Sequence, residues 1–368
     1  MTELKKADIR REYGSRLSAV GVTEQNLTAF LKNKANAGGK LRGMLPVMTS
    51  GVEGKALCVL YDKVAVKRII QGLWQLFTKE ELAAQKKTGG RWAVLAPSGR
   101  FDVFSQVIAA MFAMPWSSKK HNLVSINSPL SKIVKSLNEL APAVLVGYPS
   151  VLEQLAAEAE GGRLTISPAL VISWGELLEN QTEREISGAF GCRVQDVYIS
   201  AEGAFAAKCA CGYFHAGGCA LRVLDGGSVI LTSENKAFPL AGYDTGDIGK
   251  AVQGCDCGKG GGFLLKGRRS DGFVFAGKEM LGETLIAAMD AQMDEGVERY
   301  QLRQADENTL AVHIKCAQEN RIELFRKSMS AVEAALAAQG ISGVRIALGS
   351  EPPTPHKRSG KYRKTMGL

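Results

Sequence analysis

Apolar residues along this chain follow two alternating rhythms. Val66, Ile69, Ile70, Leu73 and Leu76 recur at helical spacing and predict an amphipathic helix. The run WAVLA from Trp92 is continuously apolar and predicts a buried strand. The pair then repeats. A turn at Pro97-Ser98-Gly99 leads to a helix over 102–114. The strand LVSI precedes a helix over 128–140, and the strand AVLVG precedes Tyr148-Pro149-Ser150 and the helix VLEQLAAEA. The strand ALVIS precedes Trp174-Gly175-Glu176 and a helix over 182–190, and RVQDVY closes the series. Continuously apolar strands alternating with helices argue for a parallel sheet covered on both faces. In such sheets ligands gather beyond the carboxyl ends of the strands, where these turns and Ser200-Ala201-Glu202-Gly203 lie.

The first forty residues read as one helix and a polar connection, NKANAGGK. After His215 the rhythm changes to short strands, with a hairpin signal at Asp225-Gly226-Gly227. From Gly267 onward the pattern is that of a separate small α+β unit. It shows a strand over 310–315, a helix over 320–339 and a strand over 344–348. The expected organisation is α/β: a large domain, 1–266, with a mostly parallel sheet flanked by helices, and a small mobile α+β lid, 267–368.

Composition narrows the class. The chain has 368 residues, 45% hydrophobic and 23% charged, which suits a globular protein with a sizeable core. No apolar run is long enough to span a bilayer, and the start lacks the apolar core of a signal peptide, so no membrane partner and a cytoplasmic location are expected. The net charge of +9 favours anionic partners. The basic residues are dispersed and not interleaved with aromatics, so a zinc-containing nucleic-acid binder is the weaker reading.

Two stretches carry candidate chemistry. Thr49, Ser50, Gly51, Gly54 and Lys55 form a hydroxyl-bearing flexible loop able to cradle an anion, although the phosphate-loop consensus is not met. Cys209-x-Cys211-x3-His215, followed later by Cys255-x-Cys257-Gly258, supplies four or five soft ligands for a tetrahedral metal site. Cys58, Cys192 and Cys316 have no partner in sequence and read as core.

In this order, TSGVEGK, AVLVGYPSVLEQLA, SWGE, VYISAEG, YDTGD, GRRSD and SGKYRK resemble the motifs of the adenylate-forming superfamily. The likeness is to its phenylacetate–CoA ligase-like and coenzyme F synthetase-like branch. The resemblance implies ATP-dependent activation of a carboxylic acid to an acyl-adenylate, with release of pyrophosphate. Transfer to a thiol, of CoA or a carrier protein, would follow. An acceptor other than CoA, through amide formation or AMP transfer, is the alternative.

By the same resemblance Thr49, Ser50, Gly51 and Lys55 line the β- and γ-phosphates, and Glu202 holds Mg²⁺. Tyr198 stacks on adenine opposite Gly175 and Glu176, with Ser200 in the nucleotide motif. Asp247, helped by Arg268, receives the ribose hydroxyls, and Lys361 bridges carboxylate and α-phosphate. The branch's structural zinc maps onto Cys209, His215, Cys255 and Cys257, with Cys211 as competing ligand. The chain departs from the pattern at Ala201, where a Thr is usual, at Glu53 in the phosphate loop, and at Ser270, where the hinge has Asp. An apolar or aromatic acid is expected from Phe101, Phe104, Met111, Phe112, Trp116 and Trp174, and a homodimer is left open.

Overall fold

The computed structural model describes residues 3–49, 56–97, 101–112, 121–292, 297–316, 320–356 and 360–367. Ser50, Gly51, Lys55 and Trp116 lie outside the described residues.

The amino-terminal region forms three short helices where the sequence suggested one: Lys6–Arg11, Tyr13–Ser18 and Glu24–Lys32. Glu12 leaves helical geometry between the first two. Thr23 starts the third, its hydroxyl accepting the Asn26 N–H.

A hairpin of β1 (Leu45–Met48) and β2 (Cys58–Tyr61) frames the loop that follows Thr49. The large sheet then takes its strands from β3 (Trp92–Ala96), β4 (His121–Ser125), β5 (Val144–Gly147), β6 (Leu170–Trp174) and β7 (Val194–Ile199). These pair in parallel, in the order β4-β3-β5-β6-β7. Every residue of β5 and β6 is buried, as expected of strands covered on both faces. Between them run helices whose starts are chemically marked. Asp102 caps Val103–Met111, and Pro149 occupies the first turn of Pro149–Glu160.

The same sheet continues in antiparallel fashion, so it is parallel over five of its eleven strands and not throughout. The added strands are β8 (Phe205–Lys208), β9 (Phe214–Ala216), β10 (Ala220–Val223), β11 (Ser228–Ser233), β12 (Leu240–Val252) and β13 (Gly262–Arg268). The physical reason is loop length. Turns of a few residues can join antiparallel strands, whereas a parallel crossover needs a helix-length connection.

By compactness the chain divides into two units. The larger comprises residues 1–245, 250–264 and 358–361, and the smaller 246–249, 265–357 and 362–368. Gly360 and Lys361, near the carboxyl terminus, cluster with the large unit.

The small unit holds the hairpin β14 (Phe273–Phe275) and β15 (Lys278–Met280), then the sheet strands β16 (Val297–Asp306), β17 (Thr309–Cys316), β18 (Arg345–Leu348) and β19 (Thr365–Met366). The sheet order is β18-β17-β16-β19. Its core of Leu302, Leu310 and Val312 packs with Leu285 and with Val332 and Leu336 of the helix Arg321–Ala338.

Candidate functional site

The carboxyl ends of β5 and β6 carry a tight constellation. β6 ends at Trp174, and Gly175 follows with φ +79°. A Cβ at Gly175 would stand 2.9 Å from the Tyr148 ring and 3.3 Å from Lys361 Cε, so this position needs glycine for conformation and for space. Lys361 Nζ lies 5.7 Å from the centroid of the Tyr148 ring, within cation–π range. The charge of Lys361 also reaches Asp102. Burial raises the Asp102 pKa, while hydrogen bonds from the Ser105 N–H and hydroxyl and the nearby Lys361 oppose that rise.

Glu176 is engaged by the fold. Its carboxylate accepts the Ser150 N–H at 3.0 Å and the Ser150 hydroxyl at 3.1 Å. A carboxylate at the first turn of Pro149–Glu160 meets unpaired N–H groups and the positive end of the helix dipole. This side chain thus anchors a helix, and Gly175 contributes backbone to the same turn.

Past β7 the chain makes the turn 200–204. The Gly203 N–H donates to the Ser200 carbonyl and the Ser200 N–H to the Ala204 carbonyl. Tyr61, fully buried, fixes this turn from below by donating to the carbonyl oxygens of Ser200 and Ala201 at 3.2 and 3.0 Å. Glu202 sits half-buried at the apex, and its carboxylate accepts the Tyr243 hydroxyl at 3.2 Å. Tyr198 is buried, with its ring set T-shaped against Phe263 at 5.6 Å and Phe214 at 6.3 Å. Ala201 is buried too and brings no hydroxyl to the turn.

Thr49 closes the neck of its loop. Its N–H donates to the Leu57 carbonyl, and its hydroxyl accepts the Leu57 N–H at 2.9 Å. In the small unit Arg268 Nε stands 3.7 Å from the Asp247 carboxylate, both side chains partly exposed. Of the rings expected to shape an acid pocket, Phe101, Phe104, Phe112 and Trp174 are all buried, and Phe104 and Trp174 pack on each other at 4.9 Å.

The soft ligands converge. One ligand atom from each of Cys209, His215, Cys255 and Cys257 lies within 4.8 Å of the others. Cys209 and Cys255 sulfurs are 3.6 Å apart, and Cys257 Sγ is 3.3 Å from His215 Nε2. A tetrahedral zinc with bonds of about 2.3 Å to sulfur and 2.0 Å to nitrogen requires edges of about 3.8 and 3.5 Å, so the spacing fits that ion.

Local structure explains the convergence. Cys209 directly follows β8 and His215 sits on β9, joined by a turn in which the Gly212 N–H donates to the Cys209 carbonyl. Cys255 and Cys257 lie in a turn closed by the Gly258 N–H. β13 returns beside β9, pairing Phe263 with Phe214. Gly262 must be small there, since a Cβ would stand 2.7 Å from the Phe214 carbonyl oxygen and 3.1 Å from the imidazole.

His215 Nδ1 pairs with the Gly261 carbonyl at 3.1 Å, which leaves Nε2 for the metal position. Burial raises the Cys209 pKa, but the Tyr213 N–H, His215 and the neighbouring cysteine groups outweigh it, bringing it down to about 6. Cys211 is exposed and is not one of the four. Lys208, next to this loop, pairs with Glu183 at 2.8 Å.

Sequence reasoning missed three members of these sites: Tyr243, Asp102 and Tyr61. Tyr243 stands at the head of the YDTGD motif, and Asp102 is readable as a helix cap. Tyr61, the last residue of an apolar strand, gave no signal.

No family model and no curated protein matches the chain. Solved structures do match it. A 2-hydroxyisobutyryl-CoA ligase in the postadenylation state with 2-HIB-AMP is 15% identical, with a TM-score of 0.64, covering 100% of this chain and 79% of that one. An ATP-bound RpMatB-BxBclM chimera is 17% identical at TM-score 0.58, over 87% of this chain and 66% of that one. Wild-type E. coli MenE with a bound analogue of OSB-AMS is 16% identical at TM-score 0.51, over 85% and 67%. The chain therefore shares the fold of these three structures. Among the described residues no helix is long and apolar enough to cross a membrane.

Proposed function

We propose that this chain activates a carboxylic acid with ATP and passes the acyl group to a thiol. The observation that carries this is the position of Lys361. A lysine from the carboxyl-terminal tail clusters with the large unit against Tyr148 and Gly175, at the strand ends where an α/β sheet binds ligands.

In the first step a carboxylate oxygen attacks the α-phosphorus of ATP. A new O–P bond forms, the bond to the bridging oxygen of the β-phosphate breaks, and pyrophosphate leaves with that electron pair. Negative charge gathers around phosphorus, so a cation held in place beforehand lowers the barrier. Lys361 supplies that charge between carboxylate and α-phosphate. Thr49 stands at the neck of the loop that, with Ser50, Gly51 and Lys55, would hold the β- and γ-phosphates. Gly175, Tyr198 and Ser200 would border the base. Asp247, oriented by Arg268, would accept the ribose hydroxyls. Glu202, held by Tyr243, would be an oxygen ligand for Mg²⁺, which would supply charge neutralisation at the phosphates. In the second step a thiolate sulfur attacks the acyl carbon and AMP leaves; CoA or a carrier protein provides the thiol.

Zinc at Cys209, His215, Cys255 and Cys257 would be structural, because four protein ligands leave no open position. It would tie the turn after β8 to the turn before β13.

ATP–pyrophosphate exchange tests the reading. Acid-dependent exchange is expected with the folded protein. Absence of exchange across a broad panel of acids would overturn it.

A further inference from the structure

We infer that the acid taken by this site is short. The inference rests on the acid-activation reading above and names its substrate class. It also departs from the aromatic acid that the ring-rich sequence suggested.

The argument starts from Lys361, whose ammonium must meet the acid's carboxylate. One wall beside it is the Tyr148 ring, 5.7 Å from Nζ, and another is Gly175, where an added Cβ would stand 3.3 Å from Cε. Directly behind Gly175 is Trp174, the last residue of β6. Its ring lies 4.9 Å from Tyr148 on one side and 4.9 Å from Phe104 on the other. The three side chains are 3%, 3% and 0% exposed, so they fill the space between them and leave no slot for an acyl chain.

The neighbouring strand end is closed as well. A single Cβ added to Gly147, the last residue of β5, would stand 3.0 Å from Leu95 and 3.2 Å from Leu152. Interiors packed to this density do not admit extra methylenes without displacing side chains. Among the described residues, then, the side of Lys361 formed by Tyr148 and Gly175 is backed by packed aromatic rings. Trp174 sets the depth on that side, because it alone touches both other rings and adjoins the glycine that packs on the lysine. Shortening it removes the plug without touching Lys361, Glu202 or the nucleotide-facing turn.

The test is ATP–pyrophosphate exchange by the full chain, with acetate, propionate and butyrate against octanoate, benzoate and phenylacetate. The short acids should give kcat/KM at least about tenfold higher than the long and aromatic ones. Trp174→Ala should raise kcat/KM for benzoate or phenylacetate by about tenfold or more, and lower it for acetate. Trp174→Leu serves the same purpose if the alanine variant does not fold, and the wild-type ranking stands without either. Preference of the wild type for octanoate or an aromatic acid overturns the size inference and leaves acid activation intact. Exchange with none of the acids overturns the activation reading and the size inference together.

Discussion

His215 presents Nε2 to Cys257 Sγ at 3.3 Å while its other nitrogen pairs with the Gly261 carbonyl. A ring held in this way has one nitrogen fixed by the backbone and the other available to a metal. With three sulfurs alongside, the cluster should hold one zinc per chain, measurable by elemental analysis of the purified protein. Cys257→Ser should lose the metal and a chelator should lower Tm by several degrees, whereas Cys211→Ser should keep both metal and Tm. Zinc loss in Cys211→Ser with retention in Cys209→Ser would exchange the roles of those two residues. The Tyr213 N–H and His215 help lower the Cys209 pKa, which favours the thiolate a metal needs, and because protons compete with the metal for these ligands, acidification should release it.

The convergence of Cys209, His215, Cys255 and Cys257 was legible in the sequence because cysteine and histidine spacing is discrete. The parallel strands were legible for a similar reason, since a continuous apolar run between helices has few alternatives. Other features were not. β16 reads VERYQLRQAD, a mostly polar run, and its buried residues Tyr300, Gln301, Leu302 and Gln304 include two polar side chains. Gln304 is satisfied by the Val274 backbone, a long-range pairing that no local pattern signals. Glu176 likewise read as a ligand contact in sequence, while only the fold shows that Ser150, far away in the chain, occupies its carboxylate. Of the rings that suggested an acid pocket, Phe101, Phe104, Phe112 and Trp174 are buried.

Glu176 gives a stability prediction. Its carboxylate satisfies an N–H in the first turn of Pro149–Glu160. Glu176→Ala should cost about 1 kcal/mol in urea unfolding, as other helix amino-terminal contacts do. Glu176→Gln should cost less, because it keeps an acceptor and loses only the charge. Equal stability of all three proteins would remove the anchoring role.

Asp196 gives a pH dependence. It is buried on β7, beside Ser173 of β6. Burial lifts its pKa from 3.8 to about 7, with the charge of Lys208 opposing and Glu183 adding to the rise. Between about pH 4 and pH 7 the folded chain keeps a proton that the unfolded chain has lost. Stability from this group therefore falls as pH rises through that window. Asp196→Asn should match the wild type in Tm at pH 4 and exceed it at pH 8. A difference in Tm that does not change with pH would contradict this account.

Lys361 carries the central claim, and one measurement bears on it most directly. ATP–pyrophosphate exchange should be present in the wild type with an accepted acid and reduced by at least about a hundredfold in Lys361→Ala, as for loss of a preorganised charge at the reacting phosphate. The same variant should still form thioester from supplied acyl-adenylate, which separates loss of the first step from loss of the fold. Exchange at the wild-type rate in Lys361→Ala would contradict the account.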